Sequence, residues 1–579
     1  MPAPDKPAVW QEWRHPADIL SARRMDDVMP VLRAAEDAGR RGAMVIGFVS
    51  YEAGPACDPH LIAHNPEQGI PLVWFAVFEQ PAACLHPAVV GGSGRTAWKP
   101  AITRAAYHRH VAAIKEHIAR GDTYQVNFTF PLHSTAPIDM ERLFYELAAA
   151  QPTPYAMLIE TPVFSIASAS PELFFAREQD RLVCEPMKGT CARGPRPELD
   201  AAMGRRLQAS EKNRAENLMV VDMVRNDLGR IAAGGSVTVD TLFEVKAWPT
   251  LWQMTSRISA QSNAPLDEVF RALFPSASIT GAPKIQTTSI IAAHEQQARG
   301  VYTGAIGWCG PGGRSQFAVA IRTAVQVKDT GRTAYHVGSG IVWDSQAADE
   351  YRECLLKARI LQRPLPNFRL LETLRWDRNT GYVLLYGHLA RLAASARHWG
   401  WVVDPSAADS CLQDASRKFL SDHERVRLLV DRQGRFRVEH QSLPGPGHYN
   451  EPAEAPTMTV RVDTRRLTGD DPFIYHKTTR RQVYRAALRR HPDVEDVLLV
   501  NRRGECMEFT NGNLVIRMGD AWLTPPVTSG LLPGVFRQHL LEQGRIREAI
   551  VDISQLDKAD AVYFINSVRG WRRVRIVTT

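Results

Sequence analysis

The chain has 579 residues and a formal net charge of +8, from 70 lysines and arginines against 62 aspartates and glutamates. This length exceeds what one hydrophobic core usually supports, so it predicts two or more domains. A hydrophobic content of 44% and a charged content of 23% are typical of a globular protein. Because the arginines are spread along the chain and form no basic stripe, we expect no nucleic-acid partner.

The cysteines and the apolar segments indicate a cellular location. None of the eight cysteines belongs to a C-x-x-C pair, which disfavours a zinc site or a redox dithiol and favours a reducing compartment. The first residues lack the basic and apolar segments of a secretory signal. No apolar run approaches the ~20 residues that span a bilayer. We therefore expect a cytoplasmic protein with no membrane partner.

Short strands and helices mix irregularly along the first part of the chain. Strand patterns fall at 43–51, 155–166, 172–177, 181–186, 301–309, 317–327 and 333–342. Helical patterns fall at 104–120, 140–150, 210–232, 265–273 and 344–362. Because the strands arrive in runs and not in strict alternation with helices, the pattern favours the α+β class.

The clearest domain boundary follows the last of these helices. The prolines of Leu361–Pro366 cannot continue a helix, so we predict one domain at 1–363 and a second at 367–579. A Pro- and Gly-rich stretch at 443–456 divides the second domain into two lobes. Amphipathic helices are predicted in this domain at 386–400 and 479–490.

The residues that suggest chemistry centre on Lys188, in the segment CEPMKGTCARG. A lysine between a proline turn and a Gly-Thr pair is either a surface charge or a nucleophile. Carboxylates lie on two predicted helices, Glu216 on the helix at 210–232 and Glu350 and Glu353 on one face of the helix at 344–362. Such carboxylates can share a hard cation such as Mg²⁺, although an isolated group of this kind is usually only a solvated charged face.

Two further features suit an anionic substrate. Arg322 stands in the apolar run AIRTA, which predicts an arginine buried in a strand, and a buried arginine needs an anionic partner. The turn VGSGIVWDS leads into the helix at 344–362, and its backbone N–H groups can receive a carboxylate. We expect Asp344 or Ser345 to be the N-cap of that helix.

Eight segments of the first domain occur in a characteristic order. They are GDTYQVNFT (121–129), SASPELFF (168–175), EPMKGT (185–190), RAENLMVVDMVRNDLGR (214–230), FPSASITGAPK (274–284), GAIGW (304–308), AIRTA (320–324) and GSGIVWDSQAADEYRECLLKA (338–358). Together they resemble the chorismate-utilising enzymes, which include anthranilate, aminodeoxychorismate, isochorismate and salicylate synthases. The resemblance implies chorismate as the substrate and a β-sandwich-like core flanked by helices.

Within this family, Lys188 resembles the lysine of aminodeoxychorismate synthases, whereas anthranilate synthases have alanine there. The resemblance implies that Lys188 attacks C2 of chorismate, that Glu172 protonates the departing 4-hydroxyl group, and that ammonia enters at C4. It implies three carboxylates at the Mg²⁺ site, namely Glu216, Glu350 and Glu353. It also implies substrate contacts from Thr190, Tyr302, Arg322, Ser339, Gly340 and Lys357.

Two residues depart from the family pattern. Asn213 stands where many relatives have an acidic residue one turn before Glu216, which should weaken cation binding. Gln253 stands where many have histidine, which removes a hydrogen-bond partner for the leaving hydroxyl group. Because the chain has no recognisable glutamine amidotransferase motif, the resemblance implies that a separate amidotransferase subunit supplies ammonia.

The second domain resembles the fold-type IV enzymes that use pyridoxal 5′-phosphate (PLP). The segments that carry the resemblance are FRLLETLRWD, YGHLARLAASARHWGW, YHKTTRRQVYRAA, GECMEFTNGNLVI, LTPPVTSGLLPGVFRQ and YFINSVRGW. The resemblance implies that Lys477 binds PLP covalently and that Glu508 keeps the pyridine nitrogen protonated. It implies that the phosphate is bound by Arg391 and by the backbone N–H groups of Val535 and Phe536. Phe536 stands where many relatives have threonine.

Together the two resemblances predict a bifunctional enzyme of 4-aminobenzoate synthesis for folate. The first domain would convert chorismate to 4-amino-4-deoxychorismate, and the second would act as a lyase that eliminates pyruvate. Two alternatives remain for the second domain: a D-amino-acid or branched-chain transaminase, or a non-catalytic docking module. The resemblance also allows a homodimer formed through this domain.

Overall fold

The computed structural model describes residues 10–80, 83–85, 97–249, 251–362, 368–450 and 457–577. The chain forms two compact units. The first unit consists of Ala8–Arg193 and Met203–Pro366, and the second consists of Asn367–Thr579 together with Gly194–Ala202. Residues 364–366, between the two predicted domains, lie outside the described residues, and so do residues 451–456 of the stretch predicted to separate two lobes.

The first part of the chain, up to residue 362, mixes helices with strands. Its helices are α1 (Met25–Arg40), α2 (Gly54–Cys57), α3 (Arg104–Ala119), α4 (Met140–Ala150), α5 (Pro197–Ala209), α6 (Glu211–Gly229), α7 (Leu266–Leu273), α8 (Lys284–His294) and α9 (Ala347–Gln362). Its strands are β1 (Trp10–Glu12), β2 (Asp18–Ala22), β3 (Met44–Val49), β4 (Val73–Phe78), β5 (Ala83–Leu85), β6 (Trp98–Pro100), β7 (Gln125–Ser134), β8 (Met157–Glu160), β9 (Phe164–Ser168), β10 (Leu173–Glu178), β11 (Arg181–Glu185), β12 (Met187–Ala192), β13 (Thr238–Ala247), β14 (Leu251–Gln261), β15 (Gly281–Ala282), β16 (Ala305–Gly310), β17 (Arg314–Val319), β18 (Thr323–Val327) and β19 (Arg332–Ile341).

Two large sheets form the core of the first unit. One has the order β12-β14-β11-β10-β17-β16-β3-β4-β2, with β13 also paired to β14. The other has the order β15-β7-β19-β18-β9-β8, with β6 paired to β7. Apolar side chains from both sheets, including Phe48, Ile306, Ile166 and Phe164, pack into one buried cluster between them. This arrangement confirms the predicted β-sandwich-like core.

At two neighbouring places the chain passes directly from a strand of one sheet to a strand of the other. Strand β9 passes into β10 through residues 169–172, and β17 passes into β18 through residues 320–322. The two crossings are hydrogen-bonded to each other, because the N–H of Val319 donates to the carbonyl of Glu172 and the N–H of Ala169 donates to that of Arg322. Two of the predicted site residues, Glu172 and Arg322, therefore lie on these crossings.

Several sequence predictions for this unit were wrong in detail. The run 317–327 is not one strand but the end of β17 and the whole of β18, in different sheets. Arg322 is not inside a strand: it occupies the break, with a φ of 54° that an extended strand does not allow. The run 155–166 likewise contains two strands, β8 and β9. Helix α9 begins at Ala347, so neither Asp344 nor Ser345 is its N-cap.

The second unit also mixes helices and strands, in two separate sheets. Its helices beyond residue 367 are α10 (Leu385–Trp399), α11 (Pro405–Ser416), α12 (Pro472–Tyr475), α13 (Gln482–Arg490) and α14 (Val535–Glu542). Its strands are β20 (Leu370–Asp377), β21 (Gly381–Tyr382), β22 (His423–Val430), β23 (Phe436–Ser442), β24 (Thr457–Leu467), β25 (Asp496–Asn501), β26 (Cys506–Phe509), β27 (Asn513–Met518), β28 (Ala521–Thr524), β29 (Arg547–Glu548), β30 (Ala561–Asn566) and β31 (Gly570–Ile576).

The two sheets of the second unit correspond to its two lobes. The first lobe has the four-stranded order β21-β20-β22-β23, and the second has the order β26-β25-β24-β31-β30-β27-β28-β29. In the second lobe β24 pairs in parallel with β25 and β31, whereas most other pairs are antiparallel. The α+β class and the two-lobed second domain are thus confirmed.

Seven cysteines carry free thiols, namely Cys57, Cys184, Cys191, Cys309, Cys354, Cys411 and Cys506. Five of them are buried, namely Cys57, Cys184, Cys309, Cys354 and Cys506. In addition, none of the helices in the described ranges has both the length and the apolar character needed to cross a bilayer.

Candidate active sites

Lys188 lies near the start of β12, the edge strand beside β14. Its side chain is partly buried, and burial lowers the pKa of the amine below its ordinary value. The Glu216 carboxylate opposes this shift, whereas the ammonium group of Lys357 adds to it. A lysine with a lowered pKa has a larger neutral fraction, which is the form that acts as a nucleophile.

Gly189 and Asn213 bring helix α6 close to this lysine. Gly189 has a φ of +94°, and a Cβ built on it would come within 3.0 Å of the Asn213 Oδ1 atom. Glycine is therefore required here both by the backbone conformation and by the close approach of the helix. The Asn213 amide donates to the Ser210 hydroxyl, the N-cap of α6, at 2.8 Å. Asn213, one of the two departures from the family pattern, thus lies directly against the lysine loop.

Glu172 is 2% exposed and lies at the first sheet crossing. Burial raises the pKa of its carboxyl group to about 7, against the opposing effects of the Ser278 hydroxyl and of Lys188. The Ser278 Oγ donates to Glu172 Oε1 at 2.5 Å. A carboxyl group with this pKa exchanges a proton near neutral pH, which suits a general acid. Ser278 was not identified from the sequence, although it lies in FPSASITGAPK, one of the eight segments that resemble the family.

Three carboxylates extend the same cluster on α6 and α9. Burial raises the pKa values of Glu216 and Glu350, and Glu353 adds to both shifts by repulsion. Glu353 itself is held below its usual pKa despite burial, because Lys357 donates to it at 2.7 Å. Glu350 accepts a hydrogen bond from the Ser345 hydroxyl at 2.7 Å. Glu353 thus influences the pKa of both other carboxylates, and Glu216 and Glu353 also influence the pKa of Lys188.

These carboxylates fit Mg²⁺ by their donor chemistry. Within the described ranges, no group of three or more His, Cys, Asp and Glu side chains is arranged to hold a metal ion by itself. Mg²⁺, however, usually takes only one or two protein carboxylates and completes its shell with water and substrate oxygens. Burial is the main cause of the raised pKa values of Glu216 and Glu350, and a nearby cation would favour the charged forms of both groups.

The remaining predicted substrate contacts surround this cluster. Lys357 donates to the Gly338 carbonyl at 2.8 Å, and Arg322 donates to the Lys357 carbonyl at 2.7 Å. Ser339 is fully buried, and its hydroxyl is 2.9 Å from the Tyr107 hydroxyl. Gly340 lies against the amine of Lys188, since a Cβ on Gly340 would be 3.0 Å from Nζ.

Three other residues named from the sequence are Tyr302, Thr190 and Gln253. Tyr302 is buried and stacks on His336, with ring centroids 5.0 Å apart. Thr190 pairs through its backbone with Gln253 on β14. Gln253 is buried, and its amide donates to the Met187 sulfur, beside Lys188 in sequence. The Gln253 Oε1 atom has no hydrogen-bond partner among the described residues.

The second unit has its own titratable cluster around Lys477. Burial lowers the pKa of this lysine to about 7, and the guanidinium groups of Arg391 and Arg481 lower it further. Glu372 and Glu508 oppose these effects. The backbone carbonyl of Lys477 accepts a hydrogen bond from the N–H of Leu371 on β20, which fixes the lysine beside the first lobe.

Arg391 on α10 is held by Glu372, a residue that sequence reasoning missed. Arg391 donates to both carboxylate oxygens of Glu372, at 3.0 and 2.6 Å, and His388 Nδ1 lies 2.7 Å from the same carboxylate. Burial alone would raise the pKa of Glu372, but Arg391 and His388 hold it at about 2. The sequence could have indicated the role of Glu372, because a glutamate in the apolar run FRLLETLRW needs a cationic partner if the run is buried.

Arg391 also connects to helix α14. Its Nη1 donates to the carbonyl of Pro533, two residues before Val535. Val535 and Phe536 are the first two residues of α14, so their N–H groups have no partner within the helix. A helix N-terminus beside an arginine favours a phosphate group.

Glu508 completes the residues expected at a PLP site. It is 3% exposed, burial raises its pKa to about 7, and it accepts a hydrogen bond from the Tyr484 hydroxyl at 2.7 Å. Lys477, Arg391, the α14 N-terminus and Glu508 supply a nucleophilic amine, a phosphate site and a carboxylate. This donor set fits PLP. Tyr484 was not identified from the sequence.

Comparison with known proteins finds two family matches along the chain. Residues 85–363 match the family of chorismate binding enzymes, and residues 369–577 match the class IV amino-transferases. The chain therefore joins a chorismate binding enzyme domain to a class IV aminotransferase domain.

Two curated relatives and one solved structure resemble the first domain. Aminodeoxychorismate synthase component 1 of Bacillus subtilis (strain 168) is 36% identical over 266 residues, which are 45% of this chain and 56% of that protein. Anthranilate synthase component 1 1 of Haloarcula marismortui is 38% identical over 263 residues, 45% of this chain and 53% of that protein. The chain thus spans about half the length of these relatives.

The solved structure is anthranilate synthase component I from Streptococcus pneumoniae TIGR4. Its TM-score is 0.54 at 23% sequence identity, over 63% of this chain and 93% of that one. At this identity the likeness shows a common fold. The two curated relatives carry different activities at nearly equal identity, so the residues of the site have to decide between them.

Proposed function

We propose that the first domain aminates chorismate to 4-amino-4-deoxychorismate and that the second converts this product to 4-aminobenzoate and pyruvate. The observation that carries the first half is the partly buried amine of Lys188, with a lowered pKa, beside the carboxyl groups of Glu172 and Glu216. A nucleophilic amine next to a carboxyl group that is protonated near neutral pH has the parts for a substitution at a ring carbon.

In the proposed first reaction, the neutral Lys188 amine attacks C2 of chorismate. The C4 hydroxyl group leaves as the double bonds shift, and the protonated Glu172 carboxyl group supplies the proton that makes the leaving group water. Ammonia then attacks C4, and the C2–N bond to Lys188 breaks. The lysine returns to its starting form, so the net change exchanges hydroxyl for amine.

The first domain's other residues bind and orient the substrate. Lys357 and Arg322 attract the carboxylates of chorismate, and Glu216, Glu350 and Glu353 would hold Mg²⁺, which neutralises a substrate carboxylate when bound. Ammonia is supplied by a separate glutamine amidotransferase subunit or, in the test tube, by an ammonium salt. We propose 1–363 and 367–579 as the limits of the two domains.

In the proposed second reaction, Lys477 holds PLP and moves the proton at the ring carbon that bears nitrogen. PLP supplies an electron sink when bound. Arg391 and the N–H groups of Val535 and Phe536 would bind its phosphate, and Glu508 would pair with its pyridine nitrogen. A lysine with a pKa of about 7 can both accept and donate a proton at neutral pH. Loss of pyruvate leaves an aromatic ring.

The test is one assay on the purified chain with chorismate, Mg²⁺, PLP and an ammonium salt, with products separated by chromatography. The proposal expects 4-aminobenzoate and pyruvate in equal amounts. Accumulation of aminodeoxychorismate would show that the second domain has another activity, such as transamination. Anthranilate as the product would show that the assignment of the first domain is wrong.

A further inference from the structure

The Glu172 carboxyl group is hydrogen-bonded to a chain of two serine hydroxyl groups. The Ser278 Oγ donates to Glu172 Oε1 at 2.5 Å, and the Ser276 hydroxyl lies 3.0 Å from that of Ser278. All three residues are buried, with at most 8% of their surface exposed. Because a hydroxyl group both donates and accepts hydrogen bonds, each serine can give its proton to one neighbour and take another from the next.

A small cavity adjoins this chain of hydroxyl groups. Glu172 and Ser276, the residues at its two ends, both line the cavity, together with Asp227 of α6 and Cys184 of β11. About 10 Å³ of the cavity is open to a water molecule, roughly the room that one buried water needs. The cavity therefore suits a water molecule that connects the serine chain to the Asp227 carboxyl group.

Asp227 is the residue of this group that can exchange protons with solvent. Its side chain keeps 11% of its surface exposed, and it accepts a hydrogen bond from Lys284 Nζ at 2.6 Å. Burial raises the pKa of Asp227, against the opposing effects of Lys284 and Arg230. A carboxyl group with a raised pKa holds a proton in a larger fraction of molecules.

The proposed first reaction requires one proton from solvent in every turnover. Glu172 loses its proton to the departing hydroxyl group, whereas Lys188 begins and ends as a neutral amine. Ammonia enters as the neutral molecule, and the product leaves as an ammonium ion, because an alkyl amine is protonated at neutral pH. The buried Glu172 carboxylate must therefore regain a proton before the next turnover.

We propose that Ser276 and Ser278 form a proton relay that returns a proton to Glu172 after each turnover. The inference rests on the proposed function, in which Glu172 is the general acid. Glu172 takes the Ser278 proton, Ser278 takes that of Ser276, and Ser276 takes one from water in the cavity. Asp227 restores the proton of this water and takes one from solvent. Ser276 and Asp227 thus act on the substrate only through Glu172.

The test follows chorismate consumption by the intact chain with Mg²⁺ and an ammonium salt, in rapid-quench experiments at pH 7. At this pH, near the Glu172 pKa of about 7, part of the sites begin protonated. Ser276→Ala should convert chorismate in these sites at the wild-type rate, and later turnovers should be slower by about tenfold or more, because Glu172 waits for a proton. The initial burst should grow as the starting pH is lowered. The wild-type chain should show no such slowing.

The matched control is Ser168→Ala. Ser168 is also fully buried, and its hydroxyl group is paired with that of Thr323 at 2.8 Å, outside the relay. This variant should turn over without a burst. If Ser276→Ala does not fold, Asp227→Asn, which keeps the shape of the side chain but cannot carry the proton, should show the same burst and slow phase.

The outcomes separate this inference from the proposed function. A constant wild-type rate in folded Ser276→Ala, or in Asp227→Asn, would overturn the relay and leave the proposed function intact. A slow rate from the first turnover would also overturn it, because a packing defect slows all turnovers alike, and so would an equal burst in Ser168→Ala. Failure of the wild-type chain to aminate chorismate with ammonium would overturn the proposed function itself.

Discussion

At the scale of single residues, Gly340 is the position in the first site where an added side chain has very little room. Strand β19 is paired to β7 along its length, so the backbone at Gly340 cannot easily move away from a new side chain. Any group added there has to displace the end of Lys188 or of Gln125. The reactivity of the Lys188 amine thus depends on the absence of a side chain at residue 340.

Gly340→Ala should therefore impair the first reaction more than it impairs stability. The added Cβ would lie 3.0 Å from Lys188 Nζ, and a misplaced nucleophile typically costs about 100-fold in rate. The measurement is kcat/KM for aminodeoxychorismate formation with ammonium. Gly229→Ala is the control, since a Cβ there meets no atom within 4 Å. A Gly340→Ala enzyme with normal kinetics would contradict this account.

The pH dependence of the first reaction should follow two groups with opposite requirements. Lys188 must be neutral, so the rate should rise as pH rises through its lowered pKa. Glu172 must be protonated, so the rate should fall as pH rises through about 7. The expected profile of kcat/KM against pH has two limbs, and Glu172→Gln should lose the alkaline limb together with about 10²–10⁴ of the rate.

Ser278→Ala tests the same carboxyl group without removing it. The Ser278 hydroxyl donates to Glu172 and so favours its charged form. Its loss should raise the Glu172 pKa and shift the alkaline limb to higher pH. An alkaline limb at the same pH in this variant would show that Glu172 does not control it.

The sequence predicted most of these site residues through the family resemblance and only part of their surroundings. Glu172, Glu216 and Glu353 all influence the pKa of Lys188, and their assignment to one catalytic site stays a prediction. Ser276 and Ser278 lie in a quoted segment, but their roles depend on which atoms they face after folding. No pattern along the chain indicates that an amide at 125 and an amine at 188 end in one space.

At the scale of secondary-structure elements, the prediction succeeded where the periodicity was uninterrupted. Helices α3 and α4 begin and end within one residue of the predicted limits. The prediction of a single strand at 317–327 was wrong because β17 and β18 are both apolar. Hydrophobicity alone does not reveal that the chain changes sheets between them. Arg322 is the local sign of the break, since its positive φ ends the extended conformation.

The ion pairs between β20 and α10 should contribute to the acid stability of the second unit. Glu372 has a folded pKa of about 2, so its contribution is complete above the unfolded pKa of about 4.5 and is lost as pH falls towards 2. We expect Glu372→Gln to destabilise this unit at pH 7 by about 3–5 kcal/mol, because Arg391 would lose its buried partner.

Calorimetric unfolding as a function of pH measures this contribution. The difference between wild type and Glu372→Gln should shrink as pH falls from about 4.5 to about 2. Glu439→Gln is the control, because the Glu439–Arg427 pair is partly exposed and should contribute at most about 1 kcal/mol. A difference that does not change with pH would show that Glu372 acts by packing and not by its charge.

At the scale of the whole molecule, the two proposed reactions use separate groups of residues. Every residue placed in the Lys188 site belongs to the first unit, and every residue placed in the Lys477 site belongs to the second. A change in one lysine should therefore affect only one reaction.

Lys188→Ala and Lys477→Ala form a reciprocal pair that tests this independence. Lys188→Ala should abolish aminodeoxychorismate formation but still release 4-aminobenzoate from supplied aminodeoxychorismate. Lys477→Ala should let aminodeoxychorismate accumulate from chorismate and should lose the visible absorbance of bound PLP. Release of 4-aminobenzoate at the wild-type rate by Lys477→Ala would contradict the lyase assignment.

The reaction of buried thiols with an alkylating reagent can report how often each unit opens. Burial raises the pKa of Cys57 and Cys354 in the first unit, and of Cys506 in the second, to about 12. Because thiolates are the species that alkylating reagents attack, these cysteines react only when their surroundings open. Peptide mass spectrometry after a timed alkylation pulse would thus measure the opening rate of either unit within one intact chain.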